Sequence, residues 1–217
     1  MARRAKTFLP PADKLDATVV LWGKGEEFYR VHDAVYKGNE FNPSRKGNAR
    51  FSPIRDSDGK IIPTLYAGTS LDCALMETIF HDVPFVAGFK PLSITKLVGK
   101  VHTVFTLKVD LKLVDLGSIA LRRLGVDRAH LIDTTKWHYS ETRKWAERFY
   151  GQFGDVQGLR WTSRQDDSAQ AVMLFGTRAN SKDLVVSGPS TPLLAGDLAS
   201  AAVIDLAMRI GVTLVER

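Results

Sequence analysis

The sequence predicts an α+β fold in a single domain, and three observations carry that expectation. Segments whose apolar residues recur at every second position outnumber those with a helical period. The two kinds do not alternate strictly along the chain, which argues against a doubly wound parallel sheet. The 217 residues are 44% hydrophobic, enough for one core of ordinary size, and no Gly/Pro/Ser-rich stretch in the middle reads as a linker.

Taken in order, residues 1–15 are expected to form a mobile N-terminal arm, basic at its start and broken by Pro10 and Pro11. Ala17 to Trp22 is a short apolar run. Phe28 to His32 reads as a strand, with Tyr29 and Val31 on one face and Phe28, Arg30 and His32 on the other. Tyr36 to Ser52 is loop-like, being interrupted by Gly38, Asn39, Asn42, Pro43, Gly47 and Asn48. Ser57-Asp58-Gly59-Lys60 is a turn, followed by a strand over Ile61 to Ala67. Ser70 is placed to cap a helix that runs to about His81, with Asp72 in its first turn. Val101 to Val109 alternates, and Lys112 to Leu116 continues the sheet. Two helices follow, the clearer from about Ser140 to Phe153 with Trp145, Ala146, Phe149, Tyr150 and Phe153 on one stripe. Leu159 to Thr162, Ala171 to Phe175 and Leu184 to Val186 are short strands. Asp197 is placed to cap a last helix with a stripe of Leu198, Ala202, Val203, Leu206 and Ile210. Gly211 ends it in a left-handed conformation, and Val212 to Val215 adds an edge strand.

Composition excludes several classes. No run of 18 apolar residues is present, so no membrane helix is expected. The basic start of the chain lacks the apolar stretch of a signal peptide. Cys73 is the only cysteine, which rules out an internal disulfide and fits a reducing cytoplasm. The net charge of +6 comes from dispersed Lys and Arg, a pattern that suits a phosphate-bearing substrate or an acidic partner better than nucleic acid. No phosphate-binding P-loop and no dinucleotide-binding G-x-G-x-x-G are found. The five histidines share no metal spacing, so neither a metal nor a prosthetic group is expected. Gly68-Thr69-Ser70-Leu71-Asp72 misses the second glycine of a nucleophile elbow, which leaves Ser70 as a cap.

Four segments carry unusual polar content inside structure that otherwise reads as buried. They are Phe28-Tyr29-Arg30-Val31-His32, Asn48-Ala49-Arg50-Phe51-Ser52-Pro53, Leu65-Tyr66-Ala67-Gly68-Thr69-Ser70 with Ala74-Leu75-Met76-Glu77 after it, and Gly158-Leu159-Arg160-Trp161-Thr162-Ser163. In this order they resemble the RES domain, a family named for an Arg, a Glu and a Ser, here Arg30, Glu77 and Ser163. The resemblance runs from about Glu27 to Phe175. It departs from many members around Arg50, where Asn48-Ala49 replaces a glycine pair and Phe51-Ser52 replaces Trp-Asn. It implies a fold like that of ADP-ribosyltransferases, with mixed or antiparallel central sheets flanked by helices. It also implies the toxin half of a toxin–antitoxin pair, consuming NAD⁺ as substrate, with an antitoxin covering the active site.

Read singly, Tyr66 is a core aromatic, Glu77 a solvated helix glutamate and Ser163 a turn serine, while Arg30 reads equally as a partner in a surface ion pair or as a substrate contact. Read as a set, they match the needs of NAD⁺ cleavage. Guanidinium groups of Arg30 and Arg50 pair with diphosphate or ribose oxygens. Tyr66 stacks on the nicotinamide ring. Glu77 stabilises the oxocarbenium character that develops as the nicotinamide–ribose bond breaks, and Ser163 hydrogen-bonds the substrate. Arg30, Tyr66 and Glu77 are the expected catalytic set, and Arg30, Arg50, Tyr66 and Ser163 the NAD⁺-binding set. For Glu77 this requires that the helix face opposite its apolar stripe (Leu71, Ala74, Leu75, Ile79) turns to a cleft. Water, inorganic phosphate and a protein side chain all remain open as acceptors of ADP-ribose. The alternative is a module that binds NAD⁺ without turning it over.

Overall fold

The computed structural model describes residues 8–194 and 198–216. Its architecture is α+β, with thirteen short strands and five α-helices among the described residues. The strands are β1 (Val19–Trp22), β2 (Glu27–Asp33), β3 (Ile54–Arg55), β4 (Ile61–Ile62), β5 (Thr64–Gly68), β6 (Lys90–Ser93), β7 (Lys100–Leu107), β8 (Leu111–Asp115), β9 (Gly158–Thr162), β10 (Gln170–Phe175), β11 (Leu184–Val186), β12 (Thr191–Pro192) and β13 (Val212–Val215). The helices are α1 (Leu71–Thr78), α2 (Ser118–Leu124), α3 (Arg128–Leu131), α4 (Tyr139–Gln152) and α5 (Leu198–Arg209).

Nine strands form one mixed sheet in the order β1-β8-β9-β10-β5-β2-β7-β11, with β12 also on β7. Only β8 and β9 run parallel within it. Two smaller pairs, β3–β4 and β6–β13, lie apart. The sheet has a weak seam. β7 and β2 pair along the whole of β2, and β10 pairs along the whole of β5. Between β2 and β5, however, a single pair, Tyr29 with Gly68, is in register. The strands splay from that point, and the sheet behaves as two halves joined at a corner.

Three apolar clusters hold this arrangement. One packs β5, β9 and β10 against α2, α3 and α4 through Trp161, Met173, Phe175, Leu131, Trp145 and Phe149. A second packs β2 against α1 and α5 through Val31, Leu75, Ile79, Val203 and Leu206. The third spans both halves of the sheet through Phe28, Leu65, Phe105, Val172 and Leu174, and so keeps the halves together despite their single registered pair. The alternation of β7 reads directly from its sequence: Val101, Thr103, Phe105 and Leu107 are buried, with their neighbours half-buried.

Several expected boundaries move. Ile61 to Ala67 is two strands, because Pro63 interrupts the ladder. Val109 lies past the end of β7 and is exposed. Ser70 caps α1 as expected, accepting from the Cys73 amide, but the helix ends at Thr78, not His81. In α5 the buried stripe is Ala199, Val203, Leu206 and Ala207; Leu198 is exposed, which corrects its expected place in the core. The expected cap Asp197 lies outside the described residues. Gly211 takes the left-handed conformation at φ +67°. Of the arm expected over 1–15, residues 1–7 lie outside the described residues. From Phe8 on, the chain lies against the body: the Phe8 ring stacks on His138 at 3.8 Å, the Trp145 indole donates to Leu9 O, and Gln152 brackets Leu15 through its amide.

Gly68 decides how closely α1 lies on β5. A Cβ there would sit 2.8 Å from Cys73 Sγ and 3.2 Å from the Ala74 amide nitrogen, so any side chain pushes the helix off the sheet. Gly68→Ala is expected to cost about 1–3 kcal/mol of stability, from overpacking. Gly151→Ala in α4, where a Cβ meets nothing within 4 Å, is expected to be neutral or mildly stabilising. Urea denaturation of both variants checks the contrast.

Candidate active site

A cavity of about 940 Å³ opens where β2 and β5 diverge. Arg30, Val31 and His32 of β2 form one wall, Thr64, Tyr66 and Ala67 of β5 another, and Glu77 of α1 a third. The loop carrying Arg50, the segment around Trp137 and Tyr139, and Phe85 complete it. Four of the five residues singled out from sequence line this space: Arg30, Arg50, Tyr66 and Glu77. Ser163 does not reach it, being fully buried, and acts on it through Glu77.

Glu77 lies on the side of α1 that faces the cavity, one turn after the buried Cys73 and Ala74, which line it too. Its Oε1 accepts from Ser163 Oγ at 2.7 Å and from the Arg164 amide at 3.3 Å. Its Oε2 lies 3.9 Å from Arg50 Nη1. Ser163 Oγ in turn accepts from the Gln165 and Asp166 amides, so the hydroxyl proton points at the carboxylate. The carboxylate is therefore fixed in orientation, with its second oxygen turned toward Arg50.

Arg50 is 6% exposed, and its carbonyl accepts from Thr142 Oγ1, which ties the loop to α4. Its guanidinium lies over the Tyr139 ring, 5.8 Å from the centroid. Nε is buried and has no acceptor among the described residues. A buried unpaired donor is costly, and at a cavity wall it marks a place for an acceptor on a ligand. Arg30 is also buried. Its Nη1 donates to Gly38 O and Glu40 O, at 2.8 and 2.7 Å, so this guanidinium also braces the loop after β2. Gly38 makes the close approach possible, since a Cβ there would overlap Thr103 of β7. Burial pulls the Arg30 pKa down to about 10, against the opposing charge of Glu40, and it remains a cation at neutral pH. Tyr66 accepts from the Phe51 amide at 3.1 Å, and burial of its hydroxyl pushes the phenol up to about 12. It is therefore a neutral ring and not a base.

Several lining residues were not singled out from sequence. Arg164, next to Ser163, donates from Nη1 to Thr134 O and from its amide to Glu77. Lys46, Lys100 and Lys136 add positive charge, with Lys100 paired to Asp33 and Lys136 to Asp82. Glu77 and Asp82 are the only carboxylates among the residues that line the cavity, against six cations. His81, also on the wall, donates from Nδ1 to Thr78 O and faces Asp82, and burial lowers its pKa. The one sequence signal for this surplus was the overall basic charge.

The RES-domain family model matches residues 27–194 of the sequence. The chain belongs to the RES-domain family. No curated protein matches it significantly. Among solved structures, it is similar to a chain in the crystal structure of the M. tuberculosis MbcT–MbcA toxin–antitoxin complex. That match has a TM-score of 0.55 and 16% identity, over 83% of this chain and 92% of the other. The chain thus shares its fold with a chain of that complex, while most of the side chains differ. No helix among the described residues is long and apolar enough to cross a membrane.

Because Ser163 Oγ is bonded to Glu77 and two amides at once, its removal leaves all three short of a partner. Ser163→Ala is expected to lower stability by about 1–3 kcal/mol. Ser168→Ala, on the same loop but exposed, is the comparison, with an expected change under about 1 kcal/mol. Thermal denaturation of the two variants distinguishes them.

Proposed function

We propose that this chain cleaves the nicotinamide–ribose bond of NAD⁺ and is the toxin of a toxin–antitoxin pair. The observation that carries the proposal is the Glu77 carboxylate, oriented by Ser163 and the Arg164 amide at the wall of a cationic cavity. The cavity volume is at the large end of small-molecule sites, as a dinucleotide requires. Its cations answer the diphosphate, and planar guanidinium forks such as Arg50 suit phosphate and ribose oxygens.

Breaking the glycosidic bond builds positive charge on the ribose while neutral nicotinamide departs. A carboxylate fixed in advance stabilises that charge without having to reorganise. The hydrogen bonds from Ser163 and the Arg164 amide hold the Glu77 carboxylate in a fixed orientation, with Arg50 nearby. The protonated Tyr66 phenol offers a flat neutral surface for the leaving ring. ADP-ribose then passes to water, inorganic phosphate or a protein side chain. The RES family membership supports the antitoxin partner, as does the solved neighbour, itself a toxin–antitoxin complex. Exposed Phe85 and Trp137 at the cavity rim, beside the basic lining, suit an acidic partner with apolar contacts.

Incubation with NAD⁺, with and without phosphate and cell extract, is expected to release nicotinamide by mass spectrometry. The co-product identifies the acceptor: ADP-ribose, a phosphorylated ADP-ribose or a modified protein. Glu77→Gln, which keeps the hydrogen bonds and removes the charge, is expected to slow release about 100-fold or more with the fold retained. Intact NAD⁺ under every condition contradicts the proposal.

A further inference from the structure

Trp161 is 1% exposed on β9, and its indole Nε1 has no acceptor among the described residues although the ring lies on the cavity wall. A buried indole N–H ordinarily finds a partner. Phe51 packs edge-on against the indole at 5.1 Å and Tyr66 at 6.2 Å, so the ring is held in place and does not turn to seek one. If packing were all that this position required, a phenylalanine would meet it without leaving a buried donor unpaired.

The position of Trp161 along β9 gives the missing acceptor a place. Ser163 follows the last residue of β9, two positions after Trp161; both are buried, and Ser163 holds Glu77. The indole and the Glu77 carboxylate thus line the same cavity, linked through the segment from Trp161 to Ser163. Around it are Tyr66, Cys73 and Ala171, all uncharged and all on the cavity wall. This wall suits a flat, neutral amide-bearing ring better than a phosphate.

From this geometry we infer that the Trp161 N–H donates to the carboxamide oxygen of the nicotinamide ring and sets the preference for that leaving group. The inference rests on the reading of the cavity as an NAD⁺ site. It adds a specificity-determining residue outside the Arg, Glu and Ser that name the family.

The test compares kcat/KM for NAD⁺ with that for an analogue carrying unsubstituted pyridine in place of nicotinamide. NAD⁺ is the better substrate in any case, because nicotinamide is a weaker base than pyridine and leaves more readily, and the Trp161 hydrogen bond is expected to widen that preference about tenfold. Trp161→Phe is expected to lower the ratio of kcat/KM for NAD⁺ to that for the analogue about tenfold relative to the wild-type chain. A purely structural role slows both substrates equally and leaves their ratio unchanged, and that result overturns the inference. If Trp161→Phe does not fold, wild-type protein labelled with ¹⁵N-tryptophan is titrated with nicotinamide and with pyridine. The indole N–H signal that persists in Trp22→Phe, Trp137→Phe and Trp145→Phe is that of Trp161. It is expected to shift with nicotinamide only, and an equal response to both, or to neither, overturns the inference. Wild-type chain that cleaves NAD⁺ with an unchanged preference in the variant defeats this inference alone. Wild-type chain that neither binds nor cleaves NAD⁺ defeats the reading of the cavity, and this inference with it.

Discussion

The structure depends on a sheet that is joined through one registered residue pair. Tyr29 and Gly68 hold β2 to β5, and beyond them the strands separate. A continuous ladder there would bring the strands to about 4.8 Å and leave no room for a ligand. The separation is sustained because the polar groups facing the gap are served in other ways. Arg30 donates to backbone carbonyls of the following loop, and Tyr66 accepts from the Phe51 amide. The shared apolar layer of Phe28, Leu65, Phe105 and Val172 prevents the halves from drifting apart. The cavity is thus a built feature of the sheet and not a surface depression between loops.

Within that cavity the electrostatics are lopsided by design of the fold. Six cations from the β2 strand, three loops and the start of β7 converge, while Asp82 and Glu77 alone oppose them. Asp82 is engaged by Lys136 and His81. Glu77 is held by uncharged donors and has one cation at the limit of ion-pair distance. The surplus charge suits an anionic ligand, and Glu77 is the one carboxylate on the wall that is not closely neutralised. Preorganisation of this kind comes from second partners: Thr142 on the Arg50 carbonyl, and the Gln165 and Asp166 amides on Ser163.

Much of the fold was legible from short-range pattern. The alternation over Val101 to Leu107 became β7, Ser70 became the cap of α1, and the Trp145–Phe149 stripe became the buried face of α4. Strand order was not legible, because pairing partners such as β8 and β9 lie more than 40 residues apart and alternation carries no address. Glu77 shows the same limit at the site. A helix face opposite an apolar stripe looks alike whether it meets bulk water or a cleft, and only the ordered set of family residues pointed to a cleft. The set also gave Ser163 a substrate contact. Ser163, just past the end of β9, is buried and bonds Glu77 without lining the cavity itself. Lys100, Lys136 and Arg164 were invisible singly, since each becomes part of a site only when the chain brings distant segments together.

The central claim is that a dinucleotide occupies the gap between β2 and β5 with its nicotinamide ribose against residue 77. A crystal structure of Glu77→Gln protein soaked with NAD⁺ tests it most directly, because the variant is expected to bind without turnover. The account predicts density for the whole dinucleotide in the gap, its nicotinamide ribose within about 3 Å of the residue 77 side chain. A dinucleotide bound elsewhere on the molecule, or a gap still empty at saturating NAD⁺, contradicts it.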